Sequence, residues 1–226
     1  SAAWVRLFDE TTTSMRFPFE GHDVTEAEIL NALSHPDAAT RAEAGQSLST
    51  TLKLHERLLS LTLNTIAKDK QIEDGWRGFK RPVASRNLAN DVDDAVVDAL
   101  VAAVNQRNVD LTHRYYKLKA KWMGVKHLNW WDRNAPLPGD DDRQFSWDEA
   151  RDIVLDAFAG FDPKMAEIAK PFFSNKWIDA APRAGKSSGA FSHPVVPSAH
   201  PYILMNFAGK SRDIMTLAHE MGHGIH

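Results

Sequence analysis

The sequence contains no cysteine among its 226 residues. This absence excludes disulfides, cysteine-ligated zinc fingers, iron–sulfur clusters and thiol catalysis. It also fits a cytoplasmic protein, which is the location we expect. No apolar run approaches the roughly 18 residues that a membrane-spanning helix needs, so we expect no membrane partner.

An excess of charge of one sign is also missing. The 27 lysines and arginines and the 30 aspartates and glutamates leave a formal net charge of −3. Nothing in this balance indicates nucleic acid or an anionic membrane surface as a partner. Hydrophobic residues make up 43% of the chain and charged residues 25%, which is the range of globular proteins with a packed core.

Helical signals dominate the sequence. Ser/Thr-x-x-Glu capping boxes begin at Thr25 and Ser146, and apolar residues recur at helical spacing between and after them. The predicted helices cover about residues 25–34, 37–69, 91–104, 111–123, 146–159, 163–179 and 213 onward. Two short extended pieces, at 189–192 and 201–207, predict a small hairpin or sheet.

The last predicted helix carries the motif His219-Glu220-x-x-His223. Residues four apart on a helix lie nearly above one another, so both imidazoles can reach one metal ion at about 2.0–2.1 Å. Glu220 lies beside them and can hold a water molecule and accept its proton. Zinc suits imidazole ligands with an open coordination position, so the motif predicts a zinc site.

An ordinary helix that carries these residues by chance is the alternative. We expect this helix to be buried on most sides, where unpaired ionisable groups are costly. Gly222 and Gly224 are poor helix formers and unusual in a purely structural helix. Catalytic zinc usually has three protein ligands, however. His226 lies near the same face, and no carboxylate follows it.

Three segments around this motif resemble oligoendopeptidase F, of the thimet-type zinc oligopeptidase family. They are Gly185–Ser192, His200–Asn206 and Thr216–His223, and further upstream matches occur at 114–116, 119–121 and 131–137. The resemblance covers most of the chain. Since the chain begins without Met and ends at His226, three residues after the motif, we interpret it as an internal fragment of a longer protein.

The resemblance implies a mainly α fold: a helical zincin-type peptidase lobe with a small β-hairpin or sheet next to the zinc-motif helix. It implies that His219 and His223 bind zinc and that Glu220 is the general base. It also implies a third ligand, a glutamate on a later helix, which this sequence lacks. We expect residues 1–180 to form the helical region and residues 181–226 the truncated start of the catalytic core.

The implied function is a zinc-dependent endopeptidase that hydrolyses short peptides with a metal-activated water, the fragment itself being inactive. Gly189, Ala190, Phe191 and Ser192 are candidates for pairing with a peptide substrate as an edge strand, although they could simply close the sheet. The alternative function is a non-catalytic helical module, or a fragment with an incomplete metal site. Besides short peptide substrates, we expect the fragment to associate with the missing remainder of the protein or with a second copy, through uncovered apolar faces.

Overall fold

The structure is a computed structural model that describes residues 2–139 and 143–226. Within these ranges it contains nine α-helices and five short strands. The helices are α1 (Ala2–Ser14), α2 (Glu26–Ala32), α3 (Ala38–Leu54), α4 (Glu56–Trp76), α5 (Ala84–Ala89), α6 (Asp94–Trp122), α7 (Trp147–Phe161), α8 (Pro163–Ser174) and α9 (Ser211–Ile225). The strands are β1 (Phe17–Phe19), β2 (His22–Val24), β3 (Ile178–Asp179), β4 (Phe191–His193) and β5 (Tyr202–Leu204). The predicted mainly α fold with a small sheet is confirmed.

The contacts between residues group the chain into two compact units. Unit 1 comprises Ser1–Thr11 and Leu33–Pro138, and unit 2 comprises Thr12–Ala32 and Gly139–His226. The boundary expected from the sequence between residues 180 and 181 stays a prediction. The sequence also has three consecutive aspartates at 140–142, a charge run typical of a solvated loop, and these residues lie outside the described ranges.

Unit 1 is built on helices. The segment predicted as one helix over 37–69 is two helices, because His55 leaves the helical conformation and its backbone N–H donates to the Leu52 carbonyl, tightening the last turn of α3. The two helices predicted between 91 and 123 are instead one helix of 29 residues, α6. A short 3₁₀ helix follows at Trp130–Asp132 and packs on α3.

Unit 2 contains both sheets. The hairpin of β1 and β2 was not predicted from the sequence. The second sheet has the order β3–β5–β4, with β3 parallel and β4 antiparallel to the central strand. Helix α8 begins with Pro163 at its first turn, as predicted, but it ends at Ser174, since the chain turns there to enter β3.

The interior of unit 2 lies where α7, α8, β5 and α9 meet. A cluster of buried apolar residues forms its core: Ala150, Val154, Ala169, Phe172, Ile203, Met205, Ile214, Leu217 and Met221. Burial of this kind is the main favourable term in folding. The core therefore holds α9 against the sheet. None of the described helices is long and apolar enough to cross a membrane.

Candidate metal centre

Helix α9 carries the sequence motif and is anchored at its beginning. The Asp213 carboxylate accepts hydrogen bonds from the backbone N–H groups of Ala208 and Lys210, at 2.9 and 3.0 Å. These bonds satisfy donors that precede the helix and place a negative charge in its first turn. Along the helix, Leu217 and Met221 are fully buried in the core. The position of the motif is thus fixed by apolar packing and by an N-terminal anchor.

The two motif histidines come together. The Nε2 atoms of His219 and His223 are 3.2 Å apart, and their rings lie edge to face with centroids 4.7 Å apart. Two nitrogens that share a tetrahedral zinc ion at 2.0–2.1 Å are expected to lie about 3.3 Å apart. The side chains present therefore fit a shared divalent cation. The same distance also permits one imidazole to donate a hydrogen bond to the other.

The environment of these histidines differs from the expectation. Both side chains are exposed, and α9 is buried only along the stripe of Ile214, Leu217, Met221 and Gly224. The prediction that the helix is buried on most sides is therefore wrong, because core residues cover only one of its faces. The cost of burying an ionisable group gives no support to a metal at this site. The separation of the two Nε2 atoms supports it instead.

The two glycines of α9 have different surroundings. A Cβ atom at Gly224 would lie 2.9 Å from Cε1 of Phe172, which is closer than van der Waals contact. Glycine is needed here for close packing of α9 on α8, so its presence is structural. A Cβ atom at Gly222 would meet nothing within 4 Å, and nothing in the structure explains this glycine.

Glu220 is half-buried, next to His219 in the sequence. Its carboxylate has no hydrogen bond or ion pair with any other described residue, which leaves both oxygens able to accept a proton or a hydrogen bond. Across residues 2–139 and 143–226, no group of three or more His, Cys, Asp or Glu side chains is arranged to hold a metal ion. His226 therefore does not join the histidine pair in such a group.

The four candidate substrate-contact residues lie at the start of β4. Phe191 and Ser192 are in the strand and pair with Leu204 and Ile203 of β5, whereas Gly189 and Ala190 precede it. Among the described strands, β4 is at the edge of its sheet. It runs beside α9, because Ser192 Oγ lies 3.5 Å from the position of a Cβ at Gly224. An edge strand beside the motif helix has unpaired backbone groups available for an extended peptide.

The segment before β4 is held by two side chains. The side chain of Lys186 is buried, and its Nζ donates to the Asp179 carboxylate and to the carbonyls of Asp179 and Ala181 at 2.9–3.0 Å. Asn206 Nδ2 donates to the carbonyls of Ser187 and Gly189 at 2.9 and 3.0 Å. Lys186 is therefore paired with an acidic neighbour, Asp179.

Asp179 is the centre of this cluster. Its carboxylate accepts two hydrogen bonds from Arg183, each of 2.6 Å, in addition to the bond from Lys186. The bonds from Arg183, and then those from Lys186, lower the pKa of Asp179 to about 2. The carboxylate therefore stays charged at neutral pH and fixes the segment that leads to β4.

One aromatic arrangement was not found from the sequence. The imidazole of His200 stacks on the indole of Trp177, with centroids 3.7 Å apart and an angle of 6° between the rings, and it also contacts Tyr202. The sequence places Trp177 and His200 far apart in the chain, so no local pattern predicts the stack. His200 is half-buried in this arrangement.

Comparisons with known proteins show what this chain is similar to. A family model described as Peptidase family M3 matches residues 31–226. The chain is 27% identical over 203 residues to oligopeptidase PepF of Bacillus subtilis, an alignment that covers 90% of this chain and 30% of that protein. It is 26% identical over 226 residues to the chromosomal oligoendopeptidase F of Lactococcus lactis subsp. cremoris, covering 97% of this chain and 37% of that protein.

A solved structure supports the fold. The structure titled PZ peptidase A with inhibitor 2 superposes with a TM-score of 0.90 at 21% identity, and the match covers 99% of this chain and 40% of that one. The chain thus spans about a third of the length of the curated relatives described above.

Proposed function

The chain belongs to peptidase family M3, and from this premise we propose that it carries the metal-binding helix of a zinc-dependent endopeptidase that hydrolyses short peptides. The observation that carries the proposal is the 3.2 Å separation of the Nε2 atoms of His219 and His223. Sequence identity to oligopeptidases over nine-tenths of the chain supports peptides as the substrate. The names of the relatives support cleavage within short peptides.

His219 and His223 would hold the zinc ion through their Nε2 atoms, each as a neutral imidazole. When bound, zinc supplies Lewis acidity to a water molecule and to the carbonyl of the scissile peptide bond. Glu220 accepts the proton of the attacking water and then donates it to the nitrogen of the leaving amine. Its carboxylate is suited to this role because it has no other partner among the described residues.

The edge strand β4 would position the substrate. An extended peptide can add to β4 through backbone hydrogen bonds, which sets its direction without reading its side chains. Gly189, Ala190, Phe191 and Ser192 would supply these contacts. Lys186 and Asn206 act indirectly, because they hold the segment that leads into the strand.

A third zinc ligand is required for tight binding, since catalytic zinc sites usually have three. We propose that it is a glutamate on a later helix of a longer protein, as the resemblance implies. The 226-residue chain by itself is then expected to bind zinc weakly and to have negligible peptidase activity. A non-catalytic helical module is the alternative for the chain in isolation.

Zinc binding to the chain tests the metal site directly. We expect a weak, reversible isotherm of one zinc per chain in a competition titration with a chromophoric chelator. The variants His219→Ala and His223→Ala should each abolish zinc binding, because only one of the two imidazole ligands then remains. The matched control is His193→Ala, an exposed histidine outside α9. Two results would contradict the proposal. One is zinc that stays bound to the chain through dialysis with no second chain present, and the other is zinc binding that is retained in both histidine variants.

Peptidase activity requires a longer protein that contains this chain. With an internally quenched peptide, we expect cleavage that a chelator stops and zinc restores. Glu220→Gln should lower kcat about 10²–10⁴-fold and leave the zinc content unchanged, because the carboxylate moves a proton and does not bind the metal. Cleavage that persists with chelator, or that survives Glu220→Gln, would refute the mechanism.

A further inference from the structure

A cavity lies entirely within unit 1, formed by the second half of α6 and the segment that follows it. Its volume is about 650 Å³. This is within the range of roughly 300–1,000 Å³ typical of small-molecule sites. Nothing in the proposed peptidase chemistry uses this cavity.

The cavity is lined by basic side chains and by no carboxylate. The basic residues are His113, Lys117, Lys126, His127 and Arg133. None of these five side chains has a hydrogen bond or an ion pair with another residue in the part of the chain that the structure describes. In a chain with a formal net charge of −3, Lys117, Lys126 and Arg133 form a local concentration of positive charge that no lining carboxylate neutralises.

Aromatic surface adjoins the basic groups. Tyr116 is half-buried and Trp130 is half-exposed in the cavity wall. The indole of Trp130 packs edge to face on Trp131, with centroids 5.7 Å apart, which holds the ring in place. A fixed indole with an exposed surface can stack on a flat ring, and such contacts are favourable beyond the area they bury.

The segment that carries Trp130 and Arg133 is anchored from both sides. The buried Asp132 carboxylate accepts hydrogen bonds from Arg41 at 2.9 and 3.1 Å and from the Asn129 backbone at 2.9 Å. Lys119 of α6 donates to the carbonyls of Arg133 and Ala135 at 2.8 and 2.7 Å. The cavity wall is therefore ordered before any ligand binds, which reduces the entropic cost of binding.

We propose that this cavity binds a small phosphorylated molecule that carries a flat ring, of the nucleotide class. Arg133 offers paired N–H donors to a phosphate, and Lys117 and Lys126 add compact positive charges. The ring would stack on Trp130. This site is independent of the motif helix, and its ligand need not be a substrate.

Titration of the 226-residue chain with ATP tests the proposal, with inorganic tripolyphosphate and adenosine as partial ligands. We expect saturable binding of ATP that weakens with salt, weaker binding of tripolyphosphate, and no measurable binding of adenosine. Lys117→Ala and Arg133→Ala should each raise the Kd for ATP about tenfold, since each removes a charge-assisted contact. Trp130→Ala should weaken the binding of ATP and leave the binding of tripolyphosphate unchanged, because only ATP has a ring that can stack on the indole.

Lys121→Ala is the matched control, because Lys121 is an exposed lysine of the same helix that does not line the cavity. It should bind ATP with unchanged Kd. Arg133→Lys keeps the charge and should recover part of the affinity, which separates loss of charge from misfolding. The proposal is overturned by absence of ATP binding, by equal binding of Lys117→Ala and Lys121→Ala, or by tetraglutamate binding more tightly than ATP, which would assign the cavity to acidic peptides.

Discussion

Unit 1 contains an ion pair in which both side chains are buried, whereas the core cluster of unit 2 is built from apolar side chains. Arg41 and Asp132 are both almost fully inaccessible and join α3 to the 3₁₀ helix, with Nη2 to Oδ1 at 2.9 Å. Arg41 also donates to the carbonyls of His35 and Pro36, so its guanidinium is well satisfied. In unit 2 the helix that carries the histidine pair is fixed by Leu217, Met221 and their apolar neighbours.

The two kinds of buried contact hold the elements of each unit in place in different ways. A buried ion pair contributes little net stability, because desolvation offsets the attraction, but it tolerates only one arrangement of donors and acceptors. An apolar core contributes more and is less demanding about exact partners. We infer that unit 1 depends on keeping a few buried polar groups paired, whereas unit 2 depends on apolar packing.

The largest expected effect comes from breaking the ion pair. Asp132→Ala leaves the buried Arg41 guanidinium without its carboxylate, which should lower the free energy of unfolding by about 3–5 kcal/mol. Hydrogen exchange measured by mass spectrometry should show the loss in α3 and the 3₁₀ helix. Amides of α7 and α9 should keep their protection if the two units are stabilised separately.

Two further variants distinguish charge from packing at this position. The double variant Arg41→Met with Asp132→Leu removes both charges together and should recover most of the lost stability. The exposed pair of Arg151 and Asp148 is the control, since Asp148→Ala should cost about 0–1 kcal/mol. If Asp132→Ala proved as mild as Asp148→Ala, unit 1 would not depend on its buried ion pair.

Local signals in the sequence predicted much of the fold. Both capping boxes are present, at Thr25 with Glu28 and at Ser146 with Glu149, because a cap is satisfied by residues three apart. The histidine pair is also local, since helical geometry alone brings residues four apart together. The sequence could therefore predict that the two histidines lie together. It could not predict whether they are buried or exposed, because that depends on residues distant in the sequence.

Features that depend on distant residues were not predictable. Strand β3 has only two residues, and it is a strand because it pairs with β5, some 25 positions later. The break at His55 was hidden because the leucines keep their helical spacing on both sides of it. From the sequence alone, Gly224 is interpreted as evidence for a functional helix. The structure shows instead that Phe172 of α8 leaves no room for a side chain at this position. A single sequence contains no signal of these long-range contacts.

A smaller effect tests the close packing of unit 2. Gly224→Ala places a methyl group 2.9 Å from Phe172, so we expect a loss of about 1–3 kcal/mol in urea denaturation. Gly222→Ala, two residues earlier on the same helix, meets open space and should gain up to about 1 kcal/mol from helix propensity. Adding Phe172→Leu to Gly224→Ala should relieve part of the strain. Equal effects of the two alanines would show that packing on α8 does not constrain α9.

The smallest effect concerns Asp179, whose pKa is lowered to about 2 by Arg183 and Lys186. A carboxyl group with a folded pKa below its unfolded value stabilises the protein above the unfolded value, and this stabilisation is lost as the pH falls through the folded pKa. Wild type should therefore exceed Asp179→Asn in unfolding free energy at neutral pH, by about 1 kcal/mol given the partial exposure of the pair. The difference should shrink between pH of about 4 and about 2, measured by urea denaturation at each pH. A difference that stayed constant down to pH of about 2 would mean that the cluster before β4 is held by the buried Lys186 and its carbonyl contacts rather than by the charge of Asp179.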